Sequence, residues 1–460
     1  MKKGIISLIL VTGVLTLRAQ QKYELTVQEA VDLAYRNVME LRNAQVDYRI
    51  QEAKNKEITG MAYPQLSASF SASHYLELPA ILFPDATSTA VYQILKDEGV
   101  SGSSGPITSV PAPQMRQVSF QQPWNMALGA TVTQLLFQPD VFVGLQARET
   151  ALNLSQSMVD QVRDRIKDSA YKRYYAILVA EKQLHYVDEG LARLNKLYRD
   201  DSIMYRNGFA EKLDLDRVQV QINNLRTTRN TIANAVNLAY AAMKFALGVS
   251  QKDTIVLKDN LSPDMIRDNL LDPTFSYEDR TEIRTLTFAR KLQELDLKRY
   301  RLGYIPTVSA IGNYSLNGMG QKFFTNPNTI WINSAYIGLS VNVPLFDGFQ
   351  RKYKVRQAQL NIEKVDNTIS TVKQGIDLEQ VATKGLLVNA INNLDIQEAN
   401  MQLAEKVYNT TKIKFEQGLG SSFEVLQSDA DLQQAQANYF TALYNAMVAR
   451  VSYLHSLGKL

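Results

Sequence analysis

Tyr63-Pro64-Gln65-Leu66-Ser67-Ala68-Ser69-Phe70-Ser71-Ala72-Ser73 is the stretch that decides the fold. From Leu66 onward, Leu66, Ala68, Phe70 and Ala72 alternate with four serines. That period of two is a strand with one apolar face and one small polar face. The opening of the stretch returns later as Ile305-Pro306-Thr307-Val308-Ser309-Ala310. Further echoes keep register. Gln134-Leu135-Leu136-Phe137 is answered by Val343-Pro344-Leu345-Phe346 at an offset of 209. Arg206-Asn207-Gly208-Phe209 is answered by Glu416-Gln417-Gly418-Leu419, and Leu247-Gly248 by Leu457-Gly458, both at 210. Such spacing implies two halves with the same order of elements.

Each half reads helix, strand, loop, strand, long helix, turn, helix. The first helix is expected over about Thr26–Thr59, with Thr26 and Glu29 as a capping box. A partner for the first strand starts at Trp124. There Trp124, Met126, Leu128, Ala130 and Val132 alternate with Asn125, Ala127, Gly129, Thr131 and Thr133. In the second half Val308, Ala310, Tyr314 and Leu316 form one strand, with Ile311 breaking its polar face. Ala335, Ile337, Leu339, Val341 and Val343 form the other. These strands have the length that crosses a bilayer at a tilt. The two tryptophans of the chain, Trp124 and Trp331, each open the second strand of a half, where interfacial aromatics sit in a membrane barrel. A soluble β-core is the plainer alternative. Residues 77–122 hold five prolines and the Ser/Gly run 101–105. They read as a long irregular loop, with a short helix at about Val91–Asp97. The matching loop, about 317–330, is much shorter.

From Pro139 to Asn207 the sequence has no internal proline, and from Gly348 to Gln417 it has none at all. Each stretch is about 100 Å of helix at 1.5 Å per residue, a length that points to coiled coils. Val355, Ala358, Ile362, Val365, Ile369, Val372 and Ile376 keep the alternating three–four spacing of a heptad seam. Apolar positions are otherwise sparse, so such a helix has wet faces, as the wall of a water-filled tube requires. Four strands cannot close a barrel. Two copies give eight, filled by side chains, and three give twelve with room for a lumen. A trimer is therefore expected.

Composition narrows the function. The chain has 460 residues, 45% hydrophobic and 21% charged, which is ordinary for a folded protein. It has no cysteine, which excludes disulfides, cysteine-zinc sites and a cysteine nucleophile. Lys2 and Lys3, the apolar run Ile5–Leu17 and Ala19 read as a secretory leader, 1–19, cut before Gln20. Cleavage would take Lys2, Lys3 and Arg18 from the 50 basic residues, leaving 47 against 46 acidic. That balance gives no reason to expect nucleic acid. No later segment is long and apolar enough for a membrane helix, so any membrane segment must be β. The three histidines, His74, His185 and His455, are far apart. There is no metal-ligand spacing, nucleophile elbow or phosphate loop, so neither an enzyme nor a cofactor is expected.

Phe415-Glu416-Gln417-Gly418-Leu419-Gly420-Ser421-Ser422-Phe423-Glu424-Val425-Leu426 resembles the glycine, small-residue, acidic-Val-Leu motif of the TolC-like outer-membrane efflux family. Tyr205-Arg206-Asn207-Gly208 through Leu213-Asp214-Leu215 is its first-half counterpart. Pro344-Leu345-Phe346-Asp347-Gly348 is similar to the family's strand-to-helix junction. The resemblance covers essentially the whole mature chain. It implies a mostly α fold with transmembrane β, internally duplicated. Long helices would form a periplasmic coiled-coil barrel, and four strands per subunit would build a trimeric twelve-stranded outer-membrane β-barrel. It implies a homotrimeric export conduit set in outer-membrane lipid. A periplasmic adaptor (membrane fusion) protein and an inner-membrane transporter of RND, ABC or MFS type would be its partners.

Residue by residue, the resemblance places adaptor docking at the tips Gly208-Phe209 and Gly418-Leu419. Glycine there also serves a helix turn by itself. Asp214 and Glu424, six residues after the glycines, fall where the family narrows its periplasmic entrance, and three copies of Glu424 would make a negative ring. Each is equally an acid in the first turn of a helix. A second acidic position is Gln427 here, and a gate arginine is replaced by Gly420. These departures turn closure toward packing of Tyr205 and Phe415. The implied division is 1–19 leader, 20–62 helix, 63–138 strand pair, 139–248 helical hairpin and 249–276 linker. It continues with 277–304 helix, 305–347 strand pair and 348–460 hairpin. A periplasmic coiled-coil adaptor or structural protein is the alternative, but it would need neither duplicated halves nor four membrane-length strands.

Overall fold

The computed structural model describes residues 21–261, 266, 275–322 and 329–460. The leader expected over 1–19 lies outside the described residues, as do parts of the linker 249–276 and of the loop 317–330. The chain divides into two units. One comprises Met1–Ala53 in its described part, Arg148–Glu294 and Ala358–Leu460; the other comprises Lys54–Ala147 and Leu295–Gln357. Each boundary falls inside a helix.

The first unit is mainly helical. A short strand β1 (Lys22–Leu25) pairs in parallel with β8 (Thr254–Leu257). Helix α1 (Val27–Asn37) starts at the expected capping box. The Glu29 amide donates to Thr26 Oγ1 at 3.3 Å, and the Thr26 amide donates to Glu29 Oε2 at 2.8 Å. The sequence predicts one helix on to Thr59, but the chain breaks at Val38, which is extended, and resumes as α2 (Met39–Gly60). Gly248 explains the break. It crosses so close to Asn37 that a Cβ on it would meet the Asn37 carbonyl at 2.8 Å.

Two helices have the expected great length: α4 (Pro139–Arg206, 68 residues) and, in the second half, 67 residues over Gln350–Glu416. Pro139 opens α4, where its missing N–H is harmless. Helix α5 (Lys212–Ala246) follows α4, and α6 (Thr281–Leu302) precedes the second strand pair. Gln350–Glu416 is α7, and Ser422–Ser456 is α8. Along α7 all seven heptad residues from Val355 to Ile376 are buried or half-buried, whereas Arg356, Glu363 and Lys364 between them are exposed. The seam packs and its flanks stay wet, as the spacing predicts.

The core of this unit gathers Leu41 of α2, Tyr174 and Ile177 of α4, Met243 of α5, Leu394 of α7 and Met447 of α8. Each such aliphatic side chain contributes about 1.5–3 kcal/mol of burial. Tyr174 is fully buried and still bonded. Its hydroxyl donates to the Leu25 carbonyl at 2.9 Å and accepts from the Asp259 amide. Arg280 is buried too, paired with Glu282 at 3.0 Å and Glu379 at 2.9 Å.

The second unit holds one antiparallel four-stranded sheet in the order β10-β9-β7-β2. Its strands are β2 (Gln65–His74), β7 (Trp124–Phe137), β9 (Thr307–Gly320) and β10 (Ile330–Asn342). Strand β9 reaches Gly320, past the start expected for its loop. Between β2 and β7 the stretch read as an irregular loop is ordered. It contains β3 (Ile81–Asp85) paired with β6 (Gln114–Val118), helix α3 (Thr87–Asp97), and a small hairpin of β4 (Ser101–Gly102) and β5 (Gly105–Pro106). Its prolines do not prevent this order, because Pro84 and Pro106 lie in two-stranded pairs, which are all edge, and Pro79, Pro111 and Pro113 lie outside strands and helices.

Candidate functional site

Register builds the two faces of the sheet. Leu66 faces Val132, Phe70 faces Leu128, and Leu128 faces Leu316. Ala130 faces Tyr314, and Tyr314 faces Ala335. One side is therefore mainly apolar across all four strands, with Asn333 opposite Leu316 as an exception, while Ile311, Ile332 and Tyr336 fall on the other side. The other side pairs Ser69 with Gly129, Thr131 with Asn313, and Ser315 with Ser334. Side chains there bond across strands. The Asn313 amide donates to Thr131 Oγ1 at 2.9 Å, and the Ser315 and Ser334 hydroxyls lie 2.7 Å apart. A sheet with one apolar face and one hydroxyl-and-amide face suits a wall between lipid and water.

Both edges of this sheet, β2 and β10, are unpaired in the single chain, and every residue of β2 is exposed. Long apolar open edges are a template for further strands.

The two tryptophans lie on the apolar face at one end of the sheet. Trp124 opens β7 and its ring is 4.5 Å from that of His74. Trp331 is the second residue of β10 and lies over Gly318, where an added Cβ would meet its ring at 2.8 Å. The opposite end carries exposed aromatics that the sequence reading did not single out: Tyr63, Phe137, Tyr304, Phe346 and Phe349. They flank the strand ends singly, so no run of sequence announces them. The junction there is a helix cap. Asp347 accepts the Arg351 amide at 3.0 Å, and Phe349 takes a positive φ of 65° beside Gly348.

The two tip turns share one backbone. Gly208 has φ +80° and Gly418 has φ +72°, the left-handed region that favours glycine. The Phe209 amide reaches back to the Met204 carbonyl and the Leu419 amide to the Lys414 carbonyl, both at 2.9 Å. That is the helix-ending motif expected of glycine at such a turn. Phe209 and Leu419 project into solvent, 80% and 77% exposed.

Asp214 lies in the first turn of α5, 3.4 Å from Arg217, whose guanidinium also covers the Phe423 ring at 5.2 Å. Glu424 is exposed in the first turn of α8, and its amide donates to Ser421 Oγ. Gln427 is exposed and donates to Asp431 at 2.9 Å. The structure separates the two aromatic candidates. Phe415 packs on an apolar cluster that includes Leu197, Ile222, Tyr408 and Leu432, whereas Tyr205 is 45% exposed.

Behind the tips lie two acids that the sequence motifs do not single out. Asp201 of α4 is fully buried and accepts the Ser422 hydroxyl. Asp429 of α8 is 1% exposed and accepts from Arg193 Nε at 2.7 Å and from the Gln433 amide. Burial pushes both carboxyls above the usual carboxylate range, against the pull of these bonds. A signal was present: Leu194, Leu197 and Asp201, and Val425, Asp429 and Leu432, keep three–four spacing. Acids at seam positions are acids in a core.

Among the described residues no helix is long and apolar enough to cross a membrane, and no group of acids and histidines could hold a metal ion. Residues 282–459 match the family described as outer membrane efflux protein. The chain is 19% identical to the outer membrane protein TolC of Vibrio cholerae, over 73% of this chain and 77% of that protein. It is 23% identical to the outer membrane efflux protein BepC of Brucella suis, over 100% of this chain and 91% of that one. Its fold superposes on a crystal structure of CusC with a TM-score of 0.72 at 15% identity, covering 94% of this chain and 92% of CusC. These matches, joined to the two-faced sheet and the paired glycine tips, show a chain similar to outer membrane efflux proteins of the TolC type, with their fold.

Proposed function

We propose that three copies of this chain, each internally duplicated, close their sheets into one twelve-stranded barrel and form an export conduit. Its likeness to outer membrane efflux proteins supports an outer-membrane location with a helical periplasmic extension, and a passive channel in place of an enzyme. The observation that carries the trimer is the sheet with two open edges and one apolar face. Open edges in lipid leave backbone groups without partners, each at a cost of several kcal/mol, so the strands must close on other copies. The chain order supports ring closure. Strands β2, β7, β9 and β10 alternate in direction, so β10 of one copy meets β2 of the next antiparallel.

In this reading α4, α5, α7 and α8 of each copy line a water-filled tube. The exposed tips Gly208-Phe209 and Gly418-Leu419 dock a periplasmic adaptor that couples to an inner-membrane transporter of RND, ABC or MFS type. Small molecules or polypeptides leave through the tube. Asp214, Glu424 and Gln427 line the periplasmic entrance, and Tyr205 and Phe415 help to close it. Three exposed Glu424 side chains around an axis favour cations.

The detergent-corrected mass of the protein extracted from the outer membrane tests the assembly. Three subunit masses are expected, and a monomer overturns the shared barrel. For the entrance, Glu424→Gln should reduce cation selectivity in single-channel recordings; unchanged selectivity removes Glu424 from the role.

A further inference from the structure

Charged residues make up 21% of this chain, yet β2, β7, β9 and β10 contain no Asp, Glu, Lys or Arg. Lipid explains that only for the apolar face. A water-filled lumen would tolerate charge, and the second face carries none. It offers Ser69, Thr131, Asn313, Ser315 and Ser334 instead, several of them bonded to one another, beside the equally uncharged Ile311, Ile332 and Tyr336. Hydroxyls and amides both donate and accept, and they stay neutral throughout the physiological range. The one histidine of these strands, His74, lies on the other face, against Trp124.

From this pattern we propose that the membrane segment of the conduit is blind to charge. Its lumen admits cationic, anionic and neutral cargo alike, limited by size and hydrogen bonding, and any charge filter lies in the helical segment. The inference rests on the barrel reading, with the serine face turned inward. Distance supports it. At about 3.3 Å per residue, the middle of a fourteen-residue strand is roughly 20 Å from either end. That exceeds two Debye lengths of about 8 Å at physiological ionic strength. Charges beyond the strand ends, such as Asp85 or Asp347, are therefore screened at mid-lumen.

The absence of cysteine makes the local potential measurable. Ser69→Cys places a lone thiol at mid-strand on the polar face, and Phe70→Cys places one on the apolar face. The full-length protein in outer-membrane vesicles is treated with a cationic (trimethylammonium) or an anionic (sulfonate) methanethiosulfonate. Each rate is divided by that for a free thiol in solution. At Ser69→Cys the cationic and anionic rates so normalised should agree within about threefold, since no fixed charge sets a potential there. A ratio beyond about tenfold in either direction overturns the charge-blind lumen.

Phe70→Cys should resist both reagents. If it reacts as fast as Ser69→Cys, the two faces are not lipid and lumen, and it is the barrel reading that fails. Thr131→Cys repeats the lumen measurement on β7 should Ser69→Cys fail to assemble. Adding Thr131→Asp to Ser69→Cys must speed the cationic reagent relative to the anionic one, which shows that the assay senses one charge per subunit.

Discussion

The turns at Gly208 and Gly418 have the same backbone and the same pair of helix-ending hydrogen bonds, yet they are held differently. After Gly418, Ser421 caps α8 with its side chain, Ser422 is buried against Asp201, and Val425 and Asp429 are buried within two turns. After Gly208, Glu211 makes no side-chain cap, and residues 212–217 contribute no buried side chain; the core is reached only at Val218. Both acids, Asp201 and Asp429, join α4 to α8 by hydrogen bonds, whereas the start of α5 reaches Asp201 only through the charge of Asp214. The difference teaches that a common turn leaves open which helix it anchors. One turn is tied into the bundle by buried polar contacts, and the other only by exposed ones such as Arg217 over the Phe423 ring. Local stability follows such contacts, so amide hydrogen exchange should be slower over 422–429 than over 212–219.

Removing a partner from the buried pair should disturb this contrast most. Asp429→Ala leaves Arg193 facing a core with no counter-charge, and breaking such a pair costs about 3 kcal/mol or more. Exchange protection over 422–432 should fall about a hundredfold, since 1.4 kcal/mol is a factor of ten. Gln219→Ala, at the matching place after the first turn, should change stability by no more than about 0.5 kcal/mol. Equal effects would mean that the two turns are anchored alike. Ser422→Ala comes next. It leaves the fully buried Asp201 carboxyl without the hydroxyl, a loss of about 1–3 kcal/mol, read as faster exchange in the first turn of α8.

A smaller effect is expected from pH. Burial raises the Asp201 carboxyl above its ordinary value of 3.8, reinforced by Asp214 and Asp200, while the Ser422 bond pulls it down. Asp429 is raised in the same sense. Because the folded tip holds these protons more tightly than the unfolded chain, their contribution favours folding most at low pH. It declines as pH rises from 3.8 through the elevated native values. Protection over 422–429, corrected for intrinsic exchange, should therefore weaken across that window. Asp201→Asn should make the slope shallower, and an unchanged slope excludes Asp201 as a source.

Much of this was legible in the sequence, and the reasons are particular. The period of two in Leu66–Ser73 reports a face through the pleat of the strand, and the heptad from Val355 to Ile376 reports one through burial, because spacing alone fixes which side chains share a side. The tip glycines were legible because only glycine takes a positive φ cheaply. The helix break at Val38 was not, because it depends on Gly248, more than two hundred residues away. Nor was the order within residues 77–122, where edge strands and turns accept proline. Asp201 and Asp429 were hidden in plain view. Acids in a long charged helix read as solvated unless their seam position is counted.

The mildest change sharpens the comparison most cleanly. Glu211 has φ −89° and ψ 153°, close to the φ −98° and ψ 155° of Ser421, so its backbone already has the shape of a side-chain cap. Only the side chain differs. Serine at 211 can reach the amide of Asp214 as Ser421 reaches that of Glu424. Glu211→Ser should therefore stabilise the start of α5 by about 0.5–1 kcal/mol. Exchange over 212–215 should slow about two- to fivefold on the tenfold-per-1.4 kcal/mol scale, with 422–429 unchanged. If the first turn gains nothing, the cap does not distinguish the two tips. The contrast then belongs entirely to the buried contacts of Asp201 and Asp429, which no substitution at the surface of α5 can supply.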